Sequence, residues 1–172
     1  MAPYPVIAAG QRVTAGLLTA MQDDMIRKLQ NTDRITSTML DDPELVVALE
    51  ASAVYFVEMF LLLGGNTTGD IRTLWTVPSG ATGFKSVMGP ASGTTDVNAD
   101  NIVVRMGVHN FPTIIAYSGV RNATGNMFRV YEHGEVTTTT AGILALNWGQ
   151  VTTNAGASRV GAGSLMRAKR IG

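Results

Sequence analysis

Oxygen-bearing side chains stand at alternate positions in Asp96-Val97-Asn98-Ala99-Asp100, the spacing with which a calcium-binding loop opens. Such a loop needs glycine at its sixth position and a bidentate glutamate at its twelfth, but these positions hold Asn101 and Gly107. Asp96, Asn98 and Asp100 are therefore weak metal candidates, and a polar turn is the plainer reading. Asp41, Asp42 and Glu44 flank Pro43 as a second acidic cluster, expected to cap a turn. Glu58 interrupts an apolar run, where a carboxylate must be paired or have a raised pKa. No second acid is placed to work with it, so a buried pair with an arginine, within the chain or across a subunit interface, is expected in preference to catalysis. His109 and His133 lack acidic or histidine neighbours at metal-ligand spacing and are expected in turns. Arg167, Lys169 and Arg170 form a small basic end whose default partners are nearby acids.

The sequence contains no nucleophile elbow, P-loop, dinucleotide fingerprint or H-E-x-x-H motif, and no cysteine. No enzymatic activity, catalytic residue or cofactor is expected. A glycan hydrolase would need two acids roughly 5 to 10 Å apart across a cleft, which spacing along the chain does not place. Charge balances at 13 basic and 13 acidic groups, giving no field to draw in nucleic acid or an acidic membrane. Only 15% of the 172 residues are charged while 45% are hydrophobic, little charge for a monomer's surface and consistent with burial in an oligomer. MAPYPVIAAG has no basic region leading an apolar core, so no secretory signal is expected.

The elements follow from periodicity. Ser52 to Leu63, SAVYFVEMFLLL, is the longest apolar run, too short for a bilayer, which needs roughly 20 residues. Its β-branched and aromatic content and the Gly64-Gly65-Asn66 stop predict a central strand, apolar on both faces. Tyr55, Val57, Phe60 and Leu62 are candidates for the core or for a subunit interface. Leu17, Met21, Met25 and Leu29 recur every four residues behind Thr14, with Leu18 and Ile26 beside them, predicting one amphipathic helix over 14–29. With the proline-bearing arm before it, this gives an N-terminal anchor over 1–30, whose docking residues are Leu17, Leu18, Met21, Met25 and Ile26. Short alternating strands fill 31–172 at hairpin spacing, with a turn expected at Gly134 and polar loops over 89–100 and 120–126. The fold class is all-β, an antiparallel jelly roll or β-sandwich carrying one N-terminal helix and an extended arm.

Three phrases near the C-terminus carry a family resemblance: Leu146-Asn147-Trp148-Gly149-Gln150, the Asn154-Ala155 turn into Ala157 to Val160, and GSLMRAKRIG from Gly163 to Gly172. AGQRVTAGLLTAMQ from Ala9 to Gln22 and TLWTVPSGATG from Thr73 to Gly83 add to it. Together they resemble small virion structural proteins of tailed phages and prophages, of the minor-tail or fibre type. The resemblance implies a TNF-like or C1q-like jelly roll assembled as a homotrimer, a place on the virion after assembly in the host cytoplasm, and contacts with other capsid or tail proteins. It implies no catalytic residues. Minor tail, tail fibre and capsid decoration roles all fit, since no heptad, collagen or internal repeat supplies a shaft. The alternative is a glycan- or receptor-binding module for host attachment, using the 89–100 and 120–126 loops.

Overall fold

A computed structural model of the chain describes residues 7–19, 22–91, 104–118 and 122–172. Among these described residues one short helix, α1 (Ala15–Thr19), precedes twelve strands: β1 (Asp24–Arg27), β2 (Thr32–Arg34), β3 (Leu40–Leu49), β4 (Ala53–Gly65), β5 (Ile71–Thr76), β6 (Thr82–Pro90), β7 (Val104–His109), β8 (Ile115–Tyr117), β9 (Ala123–Thr138), β10 (Gly142–Gly149), β11 (Ser158–Val160) and β12 (Leu165–Arg170). They form two antiparallel sheets. The larger runs β1-β12-β4-β9-β6-β7, with β11 joining β4 to β2; the smaller runs β3-β10-β5-β8. This is the all-β sandwich that the alternating patterns predict.

The long apolar run becomes β4, flanked by β12 and β9 as the centre of the large sheet. Its alternate residues Ala53, Tyr55, Val57, Met59, Leu61 and Leu63 turn inward and are buried. They meet Leu45, Val47 and Leu49 of β3, Ile71 and Trp75 of β5, and Leu144, Leu146 and Trp148 of β10 in one core. Each large aliphatic side chain fully withdrawn from water stabilises the fold by about 1.5–3 kcal/mol. Two-residue periodicity thus fixes which side of each strand the other sheet covers.

The fold departs from expectation at the N-terminal helix and at Gly134. The helix over 14–29 does not form: α1 ends at Thr19, and Met25 and Ile26 lie on β1, which pairs residue by residue with β12. A spacing of four places side chains on one face of a strand as well as of a helix, so Leu17, Met21, Met25 and Leu29 could not separate the two. The turn expected at Gly134 is the interior of β9, continuous from Ala123 to Thr138. Glycine is needed there because a Cβ would overlap the Phe84 carbonyl oxygen and lie 2.8 Å from Lys85 Cα on β6. The acidic cluster at Asp41 to Glu44 does cap a local bend: Asp42 accepts the Glu44 and Leu45 amides where the register of β3 against β10 shifts. It lies within β3, with Asp42 fully buried.

Candidate interaction face

The outward side of the large sheet is where the apolar residues not used by the core collect. Directly opposed residues in an antiparallel pair share a face, so the register defines rows across it. One row runs Met25, Arg167, Glu58, His133, Ser86 and Val108 over β1, β12, β4, β9, β6 and β7. Beside it lie Arg27, Leu165, Phe60, Tyr131 and Met88, and on the other side Lys169, Phe56, Glu135 and Phe84. Met25 is 62% exposed and Val108 69%, and Phe60, Phe84 and Met88 are exposed as well. Nearby aromatic and apolar side chains left in water on one face mark an interaction surface more often than scattered single ones do.

At its centre Glu58 is held rather than reactive. Arg167 pairs with its Oε2 from the opposed position on β12, and the Tyr131 hydroxyl donates to its Oε1 at 2.6 Å. Asp23 completes the group, 3.8 Å from Arg167 and 3.7 Å from Lys169. Tyr131 lies against Phe60 with ring centroids 4.6 Å apart and stacks on His133 at 4.8 Å. Burial, reinforced by the bond to Glu58, pushes the Tyr131 phenol up to about 12. Met25, Glu58, Phe60, Leu165 and Arg167 line a shallow cleft of about 180 Å³. The charges of Glu58, Arg167, Asp23 and Lys169 therefore offset one another inside the chain, beside exposed apolar edges and rings.

Two further charged groups lie in the interior. Lys28 reaches Asp42 at 2.7 Å, Glu44 at 3.3 Å and Thr32 at 2.8 Å. Asp42 also accepts from the Glu44 and Leu45 amides at 3.0 and 3.1 Å and from the Trp148 indole at 3.1 Å. Glu44 accepts the Leu29 and Gln30 amides, and the Leu29 bond in particular holds its carboxyl below the usual range. Between the sheets, Glu132 accepts from Thr73 at 2.5 Å, Trp75 at 2.7 Å and Tyr117 at 2.9 Å. Lys85 is fully buried beside it, 3.9 Å from Glu132 Oε2 and without a hydrogen bond, and burial lowers its pKa.

The residues singled out by sequence separate as follows. Tyr55 and Val57 are core, whereas Phe60 and Leu62 point outward on the same strand. Met25 sits on the exposed face, and Ile26 turns inward against the core. Leu17 is half-buried and Leu18 exposed on α1. Met21, Asp96, Asn98 and Asp100 lie outside the described residues. Among the described residues no group of three His, Asp or Glu is placed to hold a metal ion. Glu58 has the arginine its setting requires, within the same chain. His109 and His133 lie on β7 and β9, not in turns. Sequence reading missed Tyr131, Phe84, Met88 and Val108 as one surface. Their alternation along each strand was visible, but their adjacency needs the strand order.

No protein-family model and no curated protein matches the chain. Among solved structures, the chain is similar to one described as the structure of infectious bursal disease virus Gx strain, at 11% identity and a TM-score of 0.22. The likeness covers 88% of this chain and 36% of that one, so this chain spans about a third of its length. A TM-score of that size carries no argument about function.

Proposed function

We propose that the chain is a non-enzymatic structural protein of a phage virion that associates with copies of itself through the outer face of its large sheet. The observation that carries the self-association is the row structure of that face: Met25, Phe60, Phe84, Met88 and Val108 exposed around a Glu58–Arg167 pair already neutralised within the chain. Desolvating such a face costs little electrostatically, because the buried-charge penalty has been met inside the subunit. The virion assignment rests on the phrases Leu146 to Gln150, Asn154-Ala155 and Gly163 to Gly172, which resemble phage virion proteins. Three copies, each presenting this face to a different patch of the next, would close into a ring around a threefold axis. Contacts with other capsid or tail proteins fall to the N-terminal region, where Leu18 is exposed on α1.

Light scattering on the purified chain tests the association. A native mass of three subunits, persisting on dilution, is expected. A concentration-independent monomer would refute self-association and leave the virion assignment to the sequence phrases alone.

A further inference from the structure

Three buried or half-buried charged clusters, around Lys28, Glu58 and Lys85, differ in how well they are satisfied. The Lys28 ammonium has three oxygen partners and its carboxylates are saturated with donors, so an ordinary ion pair accounts for it. The Glu58 group at the surface is likewise complete. Lys85 is different. Its side chain is fully buried, its Nζ makes no hydrogen bond, and the nearest counter-charge, Glu132 Oε2, stands 3.9 Å away. A native core rarely keeps an ammonium in that condition, and each such group calls for an explanation.

The surroundings of Glu132 suggest one. Its Oε1 accepts two hydroxyls, from Thr73 at 2.5 Å and Tyr117 at 2.9 Å, while its Oε2 accepts only the Trp75 indole N–H at 2.7 Å. Two donors on one oxygen are placed to hold negative charge that would develop there if the carboxyl carbon were attacked. The oxygen facing Lys85 is the one free to leave. Val87 lies opposite Glu132, and Lys85 opposite Gly134, so β6 and β9 hold both side chains in the same interior with no competing side chain at position 134. Burial also lowers the Lys85 pKa, favouring the neutral amine that can act as a nucleophile. Fixing the two groups in a dry core replaces a bimolecular encounter by an intramolecular one, for which effective molarities reach about 10⁵–10⁸ M in well-oriented cases.

We propose that Lys85 and Glu132 become joined by an amide bond that ties β6 to β9 inside the sandwich. The Lys85 Nζ–Glu132 Cδ bond forms and the Cδ–Oε2 bond breaks. The ammonium and carboxylate together supply the atoms: one hydrogen stays on the amide nitrogen, and two leave with Oε2 as water. No oxidant, reductant or co-reactant is required. The product removes both buried charges, and its carbonyl oxygen keeps the Thr73 and Tyr117 donors.

Intact-mass spectrometry of the denatured full-length chain decides the matter without a variant. The wild type is expected to weigh one water less than its sequence, and peptide mapping should return a branched product joining the segments that contain Lys85 and Glu132. The Lys85→Arg and Glu132→Ala proteins should each show the full sequence mass. A wild type at full mass overturns the proposal, and so does a missing water mapped to Lys28 and Asp42 or to any other pair.

Discussion

Removing Asp42 should unfold more of this protein than removing any surface charge. Asp42 and Lys28 are both fully buried and meet at 2.7 Å. Breaking a buried pair by deleting one partner costs about 3–5 kcal/mol, because the survivor is left charged in a poorly polarisable interior. Two details place Asp42→Ala near the upper end, at about 5 kcal/mol. It orphans the Trp148 indole and the Leu45 amide, both buried, and it leaves Lys28 with only the longer 3.3 Å contact to Glu44 and the Thr32 hydroxyl. Lys28→Met keeps most of the apolar stem, and the Asp42 carboxylate retains three N–H donors, so about 3 kcal/mol is expected. Combining the two removes both charges, and the cost should fall short of the sum by about 2 kcal/mol or more. Urea unfolding followed by far-ultraviolet circular dichroism measures all three. With slopes of about 1–3 kcal/mol/M, a 3 kcal/mol loss moves the midpoint by about 1–3 M. Additive costs, or a loss below about 1 kcal/mol for Asp42→Ala, would refute the assignment of a tight internal pair.

Two further outcomes follow from the same geometry. Gly134→Ala should cost about 3 kcal/mol, because its methyl would run into the β6 backbone, whereas Gly125→Ala on the same strand meets nothing within 4 Å and should fall within about 0.5 kcal/mol of wild type in the same urea assay. Acid should weaken the fold. The Asp33 carboxyl is lowered chiefly by its bonds to Arg159 at 2.6 and 2.7 Å, and Glu44 chiefly by the Leu29 amide. A carboxyl depressed in the folded state stabilises fully above its unfolded value, near 3.8 for Asp33 and 4.5 for Glu44, and that stabilisation is lost as pH falls through the folded one. Unfolding midpoints should therefore drop below about pH 4, and the drop should be shallower in Glu44→Gln.

What the sequence made legible was whatever depends on neighbours within one strand. Tyr55, Val57, Met59, Leu61 and Leu63 announce β4 because alternate burial is a property of the strand alone. Glu58 announces a partner because an isolated carboxylate in an apolar strand is costly, though nothing local says that the partner is Arg167. The failures are all cases where distant contacts decide. Met25 fits a helix and a strand equally by spacing, and pairing with β12 settles it. Gly134 looks like a turn because glycine is common in turns, yet it is required by the approach of β6. Asp42 reads as a turn cap beside Pro43 and is one, but nothing local shows its lysine, which lies 14 positions earlier, just past the end of β1. The outer face was half legible. Apolar residues on both sides of β4 signalled a second covered surface, but grouping Phe60 with Tyr131 and Met88 needs the order β4-β9-β6.

The most direct test of self-association through the large sheet is a comparison of native masses by light scattering at matched concentration. Phe60→Asp places a charge at the centre of the exposed rows, and Ile143→Asp places one on the small sheet, where Ile143 is similarly exposed, at 45% against 39%. The wild type and Ile143→Asp should run as trimers and Phe60→Asp as a folded monomer. A monomeric wild type, or a Phe60→Asp protein that remains trimeric, would contradict the proposal that this face joins the subunits.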